Sequence, residues 1–170
     1  VYNADTKKPM AADILYEIMP QGVEAGFASS DPKTGAYKIV LPLGEDYGFY
    51  AEKYGFLSLT DHISLKDIKD EYVEINRDLY LAPLKRGQKI VMNSVLFYQS
   101  ESRMLASSMP ELRRLAKIMN DRPSLIVKLH GHTDNRGSSE ANMKLSQERV
   151  DVVKDYLVEH GIGEDRFKSE

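Results

Sequence analysis

Hydrophobic and polar positions change period about halfway along the chain. Up to about residue 82 they alternate every second position, as half-buried strands require. Tyr37, Ile39 and Leu41 alternate with Ala36, Lys38 and Val40, and Pro42 stops the run. Tyr47, Phe49 and Ala51 repeat the pattern, as do Val73, Ile75, Leu79 and Leu81, with a polar interruption at Arg77. Asp31-Pro32-Lys33-Thr34-Gly35 lies between such runs and predicts a turn, since proline pre-sets φ and glycine tolerates positive φ. Asp61 to Glu71 is a polar connection with no readable period. Short strands joined by such turns predict a small all-β sandwich.

Pro83 to Gln88 reads as a short linker, and a different pattern follows. Ile90 to Tyr98 is strand-like. Ser108-Met109-Pro110-Glu111 has the spacing of a capping box, with proline tolerated in the first helical turn. Leu112, Leu115, Ala116 and Met119 then recur at i, i+3, i+4 and i+7, which gives one buried helical face. Leu125, Val127 and Leu129 alternate as a further strand, and Asn135-Arg136-Gly137 marks a turn. A long helix should run from about Ser139 to His160, with Gly161 placed to end it. Strand, helix, strand, helix is an α+β order.

One residue of the long helix breaks its pattern. At 100° per residue, Asn142, Leu145, Val152, Val153 and Tyr156 share a stripe that should face the sheet, and Arg149 falls near its middle. A guanidinium buried without a partner costs several kcal/mol, so Arg149 requires an anion from the protein or from a ligand. Asp134, at the end of the preceding strand, is the nearest candidate. On one reading Asp134 and Arg149 close a structural salt bridge. On the other they flank a groove and take a zwitterion, with a carboxylate on Arg149 and an ammonium on Asp134. Periodicity leaves both open.

Composition narrows the function. The 170 residues allow one large domain or two small ones. A formal net charge of −3 argues against a nucleic-acid binder, which usually shows a basic patch. No apolar run approaches the roughly 20 residues of a membrane helix. Cysteine is absent, which excludes disulfides and thiolate metal sites. No Gly-x-Ser-x-Gly elbow is present, and Gly131 and Gly137 lack the Lys-Ser/Thr partner of a phosphate loop. Glu101 and Asp134 read as solvated acids rather than a catalytic pair. His130, His132 and Asp134 share one face of a strand, so a metallohydrolase is the enzymatic alternative. The other histidines, His62 and His160, are remote in sequence, while a zinc site normally takes three or four protein ligands. The expectation is a binding protein with no metal or other cofactor, His132 holding the turn.

The motif Leu129-His130-Gly131-His132-Thr133-Asp134-Asn135-Arg136-Gly137, followed by Asn142, Leu145-Ser146 and Arg149, closely resembles the signature of OmpA-like domains. Val152-Val153-Lys154-Asp155-Tyr156-Leu157, Gly161-Ile162, Arg166, Val95-Leu96-Phe97 and Pro110-Glu111-Leu112 fit the same family. The resemblance covers residues 89–170. It implies non-covalent binding of peptidoglycan, the ligand being the side-chain end of diaminopimelate in the stem peptide. Asp134 would then take the ammonium and Arg149 the carboxylate. Asn142 would support the pocket, Thr133 and Leu145 would shape it, and backbone donors near the helix start could assist the carboxylate. Where many members carry an acidic residue or asparagine after the first strand's aromatic, this chain has Phe97-Tyr98-Gln99-Ser100. The resemblance also expects a last strand after Arg166, truncated by the stop at Glu170.

The first half resembles the carboxypeptidase regulatory-like, or transthyretin-like, β-sandwich. The matching stretches are Val1 to Met10, Ser30 to Tyr37, and Gly44 with Tyr47, Ala51 and Tyr54-Gly55-Phe56. Its six tyrosines from Tyr2 to Tyr54 are either half-buried sheet residues or a carbohydrate-facing surface. The expected architecture is therefore a sandwich over 1–82, a linker over 83–88 and an OmpA-like βαβα(β) domain over 89–170. The combination resembles outer-membrane proteins of Bacteroidetes-type bacteria. It implies a place on the periplasmic face of the outer membrane, peptidoglycan as partner, and outer-membrane partner proteins on the sandwich.

Overall fold

The computed structural model describes every residue except 59, 70–71, 90, 133–137 and 169–170, and residue 58 without its side chain. The chain forms two compact units, Val1–Ser94 and Val95–Glu170. Residues 83–88, read as a linker, lie within the first: Pro83 ends a strand, and the Leu84 N–H donates to Gly55 O at 2.8 Å.

The first unit is all β. Its strands are β1 (Tyr2–Asn3), β2 (Asp13–Met19), β3 (Val23–Ser29), β4 (Asp46–Glu52), β5 (Phe56–Ser58), β6 (Asp61–Ser64) and β7 (Tyr80–Pro83). They make a four-stranded sheet in the order β3-β2-β4-β6 and a three-stranded sheet in the order β1-β7-β5. The antiparallel register of β2 and β4 pairs Ile14 with Ala51, Tyr16 with Phe49 and Ile18 with Tyr47. Paired positions point to the same face, so one apolar surface results. Ile14, Tyr47, Phe49 and Ala51 from this sheet and Leu81 from the other fill one core, with Val1 and Leu79. Each such large side chain, fully buried, contributes roughly 1.5–3 kcal/mol.

The Asp31 turn forms as expected. Asp31 Oδ1 accepts from the backbone N–H groups of Lys33 (2.9 Å) and Thr34 (2.8 Å), and Gly35 takes φ +72°. The next segment departs from expectation. Tyr37, Ile39 and Leu41 pack against the core, yet residues 36–41 form no strand. The Tyr37 hydroxyl donates to Arg77 O at 2.9 Å. Conversely, β6 forms inside the stretch that showed no period: Ile63 packs inward opposite Tyr47 while His62 and Ser64 are exposed. Of the six tyrosines, Tyr47 is buried, Tyr54 exposed and the other four half-buried.

The second unit carries two helices, α1 (Met109–Asp121) and α2 (Ser139–Glu159). Leu112, Leu115, Ala116 and Met119 are the buried face of α1, as their spacing predicts. The capping box at Ser108 does not form. A 3-10 turn at Ala106–Ser108 runs into the helix, and the Ser108 N–H donates to Leu105 O. Its hydroxyl instead accepts from the Leu96 N–H at 2.8 Å and donates to Leu96 O at 2.9 Å. Glu111 pairs with Arg114 at 2.8 Å.

The end of α2 satisfies its last carbonyls with a Schellman arrangement. Gly161 N–H donates to Val158 O (3.0 Å) and Ile162 N–H to Leu157 O (3.1 Å), with Gly161 at φ +89°. Leu157 and Ile162, the apolar pair that accompanies such an end, are both fully buried.

Neither strand expected in this unit is regular. Among its described residues, pairing is confined to isolated bridges, Phe97 with Met104 antiparallel and Val127 with Phe167 parallel. In the first case the polar pair Asn93-Ser94 makes a turn, and Ser94 turns its hydroxyl to His62 Nε2 at 2.9 Å. The residue after Arg166 does pair in parallel: Val127 N–H donates to Arg166 O (3.0 Å) and Lys168 N–H to Val127 O (2.9 Å). Arg166 caps the end of α1. Its guanidinium donates to Met119 O (3.1 Å), Arg122 O (2.8 Å) and Leu125 O (2.7 Å).

Candidate functional site

Helix α2 carries three of the expected site residues. Its start is set by Ser138, whose hydroxyl accepts from the Ala141 N–H at 3.2 Å, while Ser138 O accepts from the Asn142 N–H at 3.0 Å. Asn142, Leu145 and Arg149 follow at i, i+3 and i+7, so they align along one face over two turns. All three are half-buried. Thr133 and Asp134 lie outside the described residues, as does the turn at Asn135-Arg136-Gly137.

The approach to those residues is fixed by close packing at Gly131. Leu125, Val127, Leu129 and Gly131 are half-buried, whereas Ile126, Lys128, His130 and His132 are exposed. A Cβ on Gly131 would lie 2.5 Å from Ser146 O, 2.7 Å from Ser146 Oγ and 3.1 Å from Val150 Cγ2. The segment therefore rests directly on the α2 backbone, one turn before Arg149. Only glycine permits that approach.

Arg149 turns from α2 toward residues 97–101. Its Nε–H donates to Glu101 O at 3.0 Å, an Nη2–H donates to Tyr98 O at 3.3 Å, and the guanidinium stands 4.9 Å from the centre of the Phe97 ring. The accepting residues belong to a tight turn. Tyr98 N–H donates to Arg103 O, Glu101 N–H to Tyr98 O, and Ser100 sits at φ +57°. Backbone carbonyls orient the guanidinium but do not neutralise it. Sequence reasoning found Arg149 and missed these acceptors, because every residue carries a carbonyl and side-chain identity does not show where it will point.

The turn is tied by its own side chains. Arg103 Nε donates to Glu101 Oε2 at 3.0 Å, and the Arg103 guanidinium lies 3.8 Å over the Tyr98 ring. The hydrogen bond to Glu101, and then its charge, hold the Arg103 pKa above its ordinary value. The stretch that departs from the family pattern, Phe97 to Ser100, is thus part of what holds Arg149.

Apart from the neighbours His130 and His132, the histidines do not gather. His130 and His132 are exposed on the side of residues 125–132 opposite Gly131. His160 caps α2 and stacks on Tyr156 with ring centres 4.0 Å apart. His62 belongs to the first unit, bonded to Ser94. Among the described residues, no three of His, Asp or Glu are grouped to hold a metal, and no helix is long and apolar enough to cross a membrane.

Residues 96–170 match the OmpA family, and this part of the chain is an OmpA-family domain. The chain is similar to the peptidoglycan-associated lipoprotein of Buchnera aphidicola subsp. Baizongia pistaciae, 32% identical over 91 residues, 54% of this chain and 50% of the relative. It is similar to a probable lipoprotein, YiaD, of Escherichia coli, 28% identical over 89 residues, 51% of this chain and 41% of the relative. A third relative is the peptidoglycan-binding protein ArfA of Mycobacterium bovis, 39% identical over 56 residues, 33% of this chain and 17% of the relative. The chain spans half or less of the length of each.

Proposed function

We propose that the second unit binds peptidoglycan non-covalently, gripping the diaminopimelate side chain of the stem peptide. Arg149 takes its carboxylate, Asp134 its ammonium, Asn142 supports the pocket, and Thr133 and Leu145 shape it. One observation carries this reading: Arg149 is half-buried and aimed by two neutral carbonyls, which position a cation without neutralising it. Those bonds use two of five N–H donors, and a bidentate carboxylate takes two more. The names of two relatives, peptidoglycan-associated and peptidoglycan-binding, favour the same ligand.

On this reading the chain tethers an outer-membrane protein or assembly to the cell wall from the periplasmic side, as a binding module and not an enzyme. The first unit is a transthyretin-like sandwich of the carboxypeptidase regulatory type that spaces the binding domain or docks outer-membrane partners. The test is calorimetric titration with a diaminopimelate-containing stem peptide and with its lysine counterpart, which lacks the side-chain carboxylate. Saturable binding that weakens for the lysine peptide is expected. Equal binding of both would remove Arg149 from the recognition.

A further inference from the structure

The turn that holds Arg149 brings its own carboxylate. Glu101 sets its backbone carbonyl 3.0 Å from Arg149 Nε, so its side chain springs from a residue that Arg149 already touches. A carboxylate that swung onto the guanidinium would neutralise it and fill the paired N–H edge that an external carboxylate needs. The side chain is drawn the other way, to Arg103 at 3.0 Å. Arg103 is held in turn over the ring of Tyr98, and Tyr98 supplies the second carbonyl to Arg149.

We propose that Arg103 is a positioning residue that keeps Glu101 away from Arg149 and so reserves the Arg149 guanidinium for the ligand's carboxylate. The inference rests on the reading of Arg149 as the carboxylate site. Arg103 and Glu101 are both largely exposed, so their pair adds little to stability; its effect lies in which cation holds the carboxylate. Arg103 need not touch ligand.

The full chain and the variants Arg103→Ala, Glu101→Gln, Arg103→Ala/Glu101→Gln and Arg149→Ala are titrated with the diaminopimelate stem peptide. Arg103→Ala should weaken binding roughly threefold to fivefold, the scale of an exposed ion pair. Glu101→Gln is the reference for the turn without the competing carboxylate, and the double variant should bind as Glu101→Gln does, more tightly than Arg103→Ala. A double variant as weak as Arg103→Ala would overturn the proposal, because Arg103 would then act by ordering the turn. Unchanged affinity in Arg103→Ala would overturn it as well. If Arg149→Ala binds normally, the reading of the site fails and takes this inference with it. Loss in Arg149→Ala with no effect of Arg103→Ala sinks the inference alone. A ligand-free readout is the NMR chemical shift of the Arg149 Nε–H, which donates to Glu101 O. It should move in Arg103→Ala and return in the double variant, and an unmoved signal contradicts the proposal.

Discussion

Replacing Gly131 with alanine adds a methyl group against the backbone of α2. The new carbon would stand 2.5 Å from Ser146 O, 2.7 Å from Ser146 Oγ and 3.1 Å from a Val150 methyl. Ordinary carbon contacts lie near 3.5–4.0 Å, so the first two cannot persist. The Ser146 hydroxyl can rotate away. Its carbonyl cannot, because it belongs to the hydrogen-bonded interior of α2. The segment carrying Gly131 must therefore lift off the helix. Overpacking of this kind costs about 1–3 kcal/mol, and the entropy alanine removes from the unfolded chain returns only about 0.4–1 kcal/mol. A net loss near 1–2 kcal/mol lowers the melting temperature of a domain this size by about 4–8 °C per kcal/mol. Thermal unfolding followed by circular dichroism measures it. Adding Ser146→Ala relieves the hydroxyl contact alone, so it should restore only part of the loss. Peptide affinity should fall as well, since the segment leads into Thr133 and Asp134 while α2 carries Asn142 and Arg149. Melting and affinity both equal to those of the unmodified chain would refute the close approach and the role given to it.

Two further outcomes follow from single residues. Arg166→Ala removes the donor to three carbonyls at and beyond the end of α1 and should cost about 2 kcal/mol, read by urea denaturation; an unchanged midpoint would show that water replaces the guanidinium there. Asp31 is held below its ordinary pKa of 3.8, first by the Thr34 N–H, then by the Lys33 N–H and the Thr34 hydroxyl. A depressed carboxylate contributes stability above its unfolded pKa and loses it as pH falls through the folded one. Asp31→Asn, which keeps an acceptor but cannot titrate, should therefore flatten the loss of stability below about pH 4, as measured by thermal melts across that range. A slope equal to that of the unmodified chain would contradict the assignment.

What was legible in the sequence was local. The face of α1, the Asp31 turn and the glycine end of α2 each depend on residues within a few positions of one another. Alternation at Tyr37, Ile39 and Leu41 reported burial correctly but not pairing, because inward side chains need no ladder partner. The Ser108 capping box failed for a nonlocal reason, since the hydroxyl was claimed by the backbone of Leu96, twelve residues upstream. At the site, Arg149 was conspicuous because a cation interrupts an apolar stripe. Its carbonyl partners left no such mark, and the contact of Gly131 with Ser146 could not be read before the two segments were brought together.

The most direct measurement compares the full chain with Arg149→Ala in calorimetric titrations with a diaminopimelate stem peptide, with circular dichroism to establish that both are folded. Saturable binding by the first and none detectable by the folded variant are expected. Equal affinities would contradict it and leave the Arg149 contacts to Tyr98 and Glu101 as structure alone.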